Sequence, residues 1–176
     1  MLQRTPETQS FWEAFRRHAG LDHDNYVVGL FGDSPEMATE LAELVVAGTK
    51  RATASLARDY GEGRDSTPKP GDFVMMLDGH GHPQFIWRTT EVTVKPLFQV
   101  DEAFAWDEGE GDRTRDWWLA AHRRYFTRQA SREGSERHKR RADLRPDGVG
   151  GRPAGYGETI PSYQAALANP VCTSAS

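Results

Sequence analysis

Apolar positions recur along this chain in two rhythms, one near four and one near two. Phe11, Trp12, Phe15 and Ala19 fall on one side of a helix over 10–19. Ser10 with Glu13 three positions on has capping-box spacing, and Gly20 is its stop. Residues 27–31 are short, apolar and β-branched at the start, which predicts a strand. Ser34, Pro35 and Glu36 then supply a cap, a first-turn proline and a negative charge at the positive end of a helix dipole. Met37, Leu41, Leu44 and Val45 give that second helix one buried face, and Gly48 fits the left-handed position beyond its end.

The rhythm then shortens. Residues 72–78 alternate around Phe73, Met75 and Leu77, residues 79–83 form a turn, and residues 84–94 are rich in Phe, Ile, Trp, Thr and Val. This predicts a β-hairpin. His80 and His82 fall at its tip and are expected to be exposed, since no third metal ligand is near in sequence. Asp101 caps a short helix through Phe104 and Trp106. Asp112 caps a longer one through Trp117, Trp118, Ala121, His122, Tyr125 and Phe126. The aromatic residues are expected in the core, and His122 as a hydrogen-bonded packing residue. Beyond Gln129 no period of two or 3.6 is sustained. Residues 130–176, rich in Arg, Gly, Ser and Pro, are expected to be a disordered tail with at most a short element near 163–167. The plan is an extension over 1–9, one domain over 10–129 and the tail.

Composition fits that plan. A chain of 176 residues is enough for one domain with a proper core. A hydrophobic content of 37% is low enough to leave part of the chain unpacked. Residues 1–7 lack the basic-then-apolar layout of a signal peptide, and no run approaches a membrane span. A soluble cytoplasmic protein is the expectation. The lone Cys172 excludes intramolecular disulfides and cysteine-based zinc sites. Residues 1–126 carry a net charge of -7 and residues 127–176 one of +3, so the acidic body cannot attract polyanions in bulk. The run Arg137-His138-Lys139-Arg140-Arg141 could touch RNA, but a solvated tail is the preferred reading.

Chemistry concentrates in two stretches. The first is Gly48-Thr49-Lys50-Arg51-Ala52-Thr53-Ala54-Ser55, which has no Asp or Glu from Gly48 to Arg58. A threonine hydroxyl becomes a nucleophile when a base takes its proton, and a lysine whose pKa falls on burial can be that base. Spacing of three brings Lys50 and Thr53 to one side in a helical turn or bulge, and to opposite sides in a regular strand. The second stretch is Asp107-Glu108-Gly109-Glu110-Gly111-Asp112, four mutually repelling carboxylates. Burial would raise at least one of their pKa values, leaving an acid able to protonate a leaving group. Asp107, Glu110 and Asp112 are expected in a solvated turn. Metal binding by the cluster would need further ligands from elsewhere.

Phe31-Gly32-Asp33, Gly48 to Thr53, Pro70-Gly71-Asp72, and Glu108 to Asp112 followed by Trp117 and His122 together resemble the ASCH-domain family over roughly residues 10–126. The resemblance implies an α+β, PUA-like small β-barrel with flanking helices and binding of RNA or a nucleoside in a cleft. Some relatives are amidohydrolases acting on N4-acetylcytidine, and others have been described as ribonucleases. By motif position the amidohydrolase set corresponds to Lys50, Thr53 and Glu108. A nucleotide-binding set adds Arg51, Trp87 and Trp106, with the two tryptophans as stacking surfaces. No cofactor or metal is implied. The functional alternatives are therefore amide hydrolysis, ribonuclease action and RNA binding without catalysis. Family members continue after the last helix into a strand that completes the barrel. Here the Arg/Gly/Pro-rich stretch stands in its place, which predicts a divergent or frame-shifted end and an incomplete barrel with an exposed edge.

Overall fold

The computed structural model describes residues 2–61, 65–142 and 161–168. In chain order its elements are α1 (Pro6–Ala19), β1 (Val27–Leu30), α2 (Pro35–Val46), β2 (Ala52–Leu56), β3 (Phe73–Leu77), β4 (Pro83–Pro96), α3 (Glu102–Glu108), α4 (Arg115–Ala142) and β5 (Pro161–Ala168). The fold is α+β. One mixed sheet runs in the order β1-β3-β4-β5-β2, with β1 parallel to β3 and every other neighbouring pair antiparallel.

The β3–β4 hairpin forms as its alternation predicts, and both of its faces are covered. Adjacent strand residues point to opposite faces. Met75, Leu77 and Ile86 therefore meet Trp12 and Phe15 of α1, while Met76, Phe85 and Trp87 meet Ala42 and Val45 of α2. This double cover is why Met76 is as deeply buried as the alternating Met75. A third cluster joins Ala52 and Leu56 of β2 to Phe104 and Ala105 of α3 and to Trp118 and Phe126 of α4. His80 and His82 are exposed at the hairpin tip.

Several helix ends differ from expectation. α1 starts at Pro6, with Thr5 and Thr8 exchanging the capping-box bonds, so Ser10 lies inside the helix. Proline tolerates the first turn, where its missing N–H is not needed, and this extends the helix upstream. α2 begins as predicted, with Ser34 Oγ accepting from the Met37 amide. At α4 the cap is Thr114, whose hydroxyl accepts from the Trp117 amide, and Asp112 holds Thr114 in place.

The end of the chain departs most. α4 continues past residue 129 to Ala142, so the basic run over 137–141 lies on a helix and not in a tail. The short element expected near 163–167 is the strand β5, while the expectation that no later strand joins the sheet is overturned. β5 lies between β4 and β2, with Arg88 opposite Ala168, Pro96 opposite Pro161, Ala52 opposite Ala166 and Leu56 opposite Ser162. Two neighbours satisfy its backbone on both sides, which single-strand periodicity cannot report. Residues 143–160 and 169–176 of the expected tail lie outside the described residues.

Candidate functional site

Two helix ends lie back to back and aim their polar side chains inward. α2 ends at Val46 with Ala47 as its cap, Gly48 takes φ 75°, and the amides of Thr49 and Lys50 both donate to the Leu44 carbonyl. This reversal drives Lys50 into the interior just before β2 begins. α3 ends at Glu108, with Gly109 in the left-handed region at φ 71°. The Arg51 amide donates to the Asp107 carbonyl at 2.6 Å, so the two segments touch backbone to backbone. A Cβ at Gly109 would lie 2.5 Å from the Thr49 carbonyl oxygen, and only glycine permits this approach.

Lys50 and Glu108 are each only 1% exposed. The Lys50 ammonium donates to Glu108 Oε2 and, at 2.8 Å, to Glu110 Oε1. Glu108 Oε1 is buried without a hydrogen-bond partner among the described residues. His122 Nε2 stands 3.8 Å from it. Burial works to discharge Lys50, but the two carboxylates more than offset it and hold its pKa above the ordinary lysine value. Burial is the strongest influence on Glu108 and pushes its carboxyl above the usual carboxylate range.

These groups form one end of a cavity of about 480 Å³. Lys50, Thr53, Trp87, Glu108, Glu110 and His122 all line it. Trp87 stacks against Phe31 at 5.6 Å, and Phe31 also lines the cavity and lies 5.4 Å from the Lys50 ammonium. Volume and lining match a small-molecule site, for which about 300–1,000 Å³ is usual. A buried ion pair is weak support for stability, since desolvation takes back most of the Coulomb gain. In a cleft, such perturbed groups make a candidate functional site.

The structure thus brings Lys50, Thr53, Trp87 and Glu108 together. It does not bring Arg51 or Trp106 to them. Arg51 is half exposed and pairs with Asp107 at 2.5 Å. Trp106 is half exposed beneath the Arg113 guanidinium, 3.7 Å from its ring centre. Glu110 is the correction in the acidic stretch. It is 17% exposed and bound to Lys50, because the αL glycines on either side fold its carboxylate back over the cavity. His122 packs and hydrogen-bonds as expected, yet it also faces the cavity. The signal was its place on the stripe of Trp118 and Phe126, four residues to either side.

The family model described as the ASCH domain matches residues 27–141. A crystal structure of a protein from Enterococcus faecalis V583 is 30% identical, with a TM-score of 0.69 over 90% of this chain and 85% of that one. The crystal structure of an ASCH domain from Lactobacillus crispatus JV V101 is 24% identical, with a TM-score of 0.75 over 98% and 99% of the two chains. No curated protein matches the sequence. With a family model matching well over half of its length and these structures sharing its architecture, the chain belongs to the ASCH-domain family and has its PUA-like fold.

Proposed function

We propose that the cavity binds the base of a nucleoside, free or within RNA, and reads its polar edge. One observation carries this reading: a buried ammonium held between two carboxylates, one of which keeps an unpartnered oxygen beside the cavity. Lys50, already engaged by Glu108 and Glu110, is not free to anchor a phosphate. The cluster instead offers a fixed pattern of donors and acceptors, and Trp87 with Phe31 adds flat apolar surface in the same wall. Isothermal titration with cytidine tests it. Saturable binding that is lost in Lys50→Met and weakened in Trp87→Ala is the expected result, and no binding by the intact chain would overturn it.

A second reading adds amide hydrolysis, of the kind that would remove the acyl group from N4-acetylcytidine. It is favoured by Thr53 lining the same cavity as Lys50 and Glu108. Transfer of the Lys50 proton to Glu108 gives a neutral amine and a carboxylic acid; burial of both groups favours that neutral pair, while the carboxylates around Lys50 oppose it. Thr53 Oγ1 then attacks the amide carbonyl while Lys50 takes its proton. Glu108 protonates the departing nitrogen as the C–N bond breaks, leaving the acyl group on Thr53. Water attacks this ester, Glu108 recovers a proton from the water, and Lys50 returns one to Thr53. Incubation with N4-acetylcytidine decides the matter: release of cytidine that survives Lys50→Ala or Thr53→Ala would exclude this assignment.

A further inference from the structure

The imidazole of His122 is fixed in two ways. Its ring stacks on Trp118, with centroids 3.9 Å apart and planes 20° from parallel. Its Nδ1 lies 3.0 Å from the Trp118 carbonyl oxygen. A carbonyl can only accept, so Nδ1 carries the hydrogen. In the neutral ring Nε2 is then a bare acceptor. It faces Glu108 Oε1 at 3.8 Å, the oxygen that has no partner, while Lys50 occupies the other oxygen of the same carboxylate.

With Glu108 ionised and the ring neutral, two acceptors therefore stand 3.8 Å apart, both belong to residues lining the cavity, and no described residue donates to either of them. A buried acceptor left unmatched is costly, and a ligand that supplies the donor recovers that cost. We propose that His122 Nε2 and Glu108 Oε1 form a subsite for an exocyclic nitrogen, so that the cavity selects a base bearing an amino group over one with a carbonyl in the same place. The proposal rests on the nucleoside reading above. An amino group has two hydrogens, one for each acceptor, and its arrival at Oε1 favours the ionised carboxylate. A carbonyl oxygen would meet two acceptors and be rejected. If the nitrogen is acylated, its single hydrogen goes to Nε2, which leaves the nitrogen lone pair for the proton that Glu108 delivers during hydrolysis. His122 is in this account a recognition residue that dictates which group may dock against the pair from the cavity side.

Two measurements on the full chain test it. Long-range ¹H–¹⁵N correlation spectra of the free protein report the histidine tautomer, and His122 is expected with its hydrogen on Nδ1. A hydrogen on Nε2 instead overturns the subsite. Titration with cytidine and with uridine should favour cytidine by at least about tenfold, the scale of one or two well-placed hydrogen bonds. His122→Phe keeps a ring against Trp118 and removes the acceptor. It should reduce the preference to less than about threefold, mainly by weakening cytidine. Equal affinities in the unaltered protein, or a preference that survives His122→Phe, would overturn the subsite and leave the nucleoside reading standing. Binding of neither nucleoside would overturn both. The tautomer and the cytidine-to-uridine ratio need no variant, so they decide the matter even if His122→Phe does not fold.

Discussion

Glu110 Oε1 lies 2.8 Å from the Lys50 ammonium, although 60 positions separate the two residues in the chain. With Glu108 it encloses a charge that burial alone disfavours. The contact joins the end of α2 to the end of α3, and the site exists only because those ends meet.

Removing the charge should expose that dependence. Lys50→Ala leaves Glu108 buried beside Glu110 with no cation, and breaking one side of a buried pair typically costs about 3–5 kcal/mol. Urea unfolding at pH 7 should show a loss of this order. The loss should shrink as pH is lowered from 7, beginning above the ordinary carboxylate value of 4.5, because burial pushes the Glu108 carboxyl upward and it takes up a proton. Adding Glu108→Gln to Lys50→Ala should recover part of the loss at pH 7. Lys50 itself contributes in the opposite pH range. Its pKa is raised on folding, so its contribution is complete below the ordinary value of 10.5 and is lost as pH climbs through the raised value.

Gly109 holds the two helix ends in contact. Alanine there would carry φ 71° and press a methyl group to 2.5 Å from the Thr49 carbonyl. Gly109→Ala is expected to cost more than about 2 kcal/mol, from left-handed strain together with the forced separation. It should also weaken cytidine binding, because Lys50 and Glu108 would be moved apart. Loss of stability with unchanged binding would show that the cavity tolerates the separation.

Asp78 should govern the acid side of stability. Burial works to raise its carboxyl, but the amides of His82 and His80 outweigh burial and hold it below its ordinary value of 3.8. A carboxyl depressed on folding stabilises above its unfolded pKa, and that contribution disappears as pH falls through the depressed value. Asp78 Oδ2 also accepts from Gln84, so the side chain ties together the whole hairpin turn. Asp78→Ala is expected to cost about 1.5–3 kcal/mol at pH 7. The difference from the unaltered protein should narrow below pH 3.8 when unfolding is followed across pH.

Truncation after Ala142 tests β5. Among the described residues β2 reaches the sheet only through β5, since it ends the strand order. The shortened chain would present unpaired edges on β2 and β4 and lose the anchor of Thr53, which lies opposite Ala165. Aggregation or a much lower urea midpoint is expected. A truncated chain as stable as the full one would show that this strand contributes nothing to the fold.

The sequence on its own determined what depends on near neighbours. Ser34 and Pro35 start α2, Gly20 and Gly48 stop helices, and the alternation through Phe73, Met75 and Leu77 makes a strand. Each effect acts within a few residues and leaves its mark in the local pattern. Lys50, Thr53 and Glu108 were singled out by residue type and by motif resemblance, and the structure lines one cavity with all three. Tertiary structure alone decided that Glu110 turns inward while Asp107 and Asp112 stay at the surface, since all three are carboxylates in one glycine-spaced run. It alone set Arg51 and Trp106 outside the cavity and put His122 at its edge. It also placed β5 between β4 and β2, a position fixed by hydrogen bonds to strands more than 60 residues earlier. Periodicity records which way a side chain points from its own element. Which elements then face one another is settled by packing and by the pairing of distant backbone groups, and neither leaves a local trace.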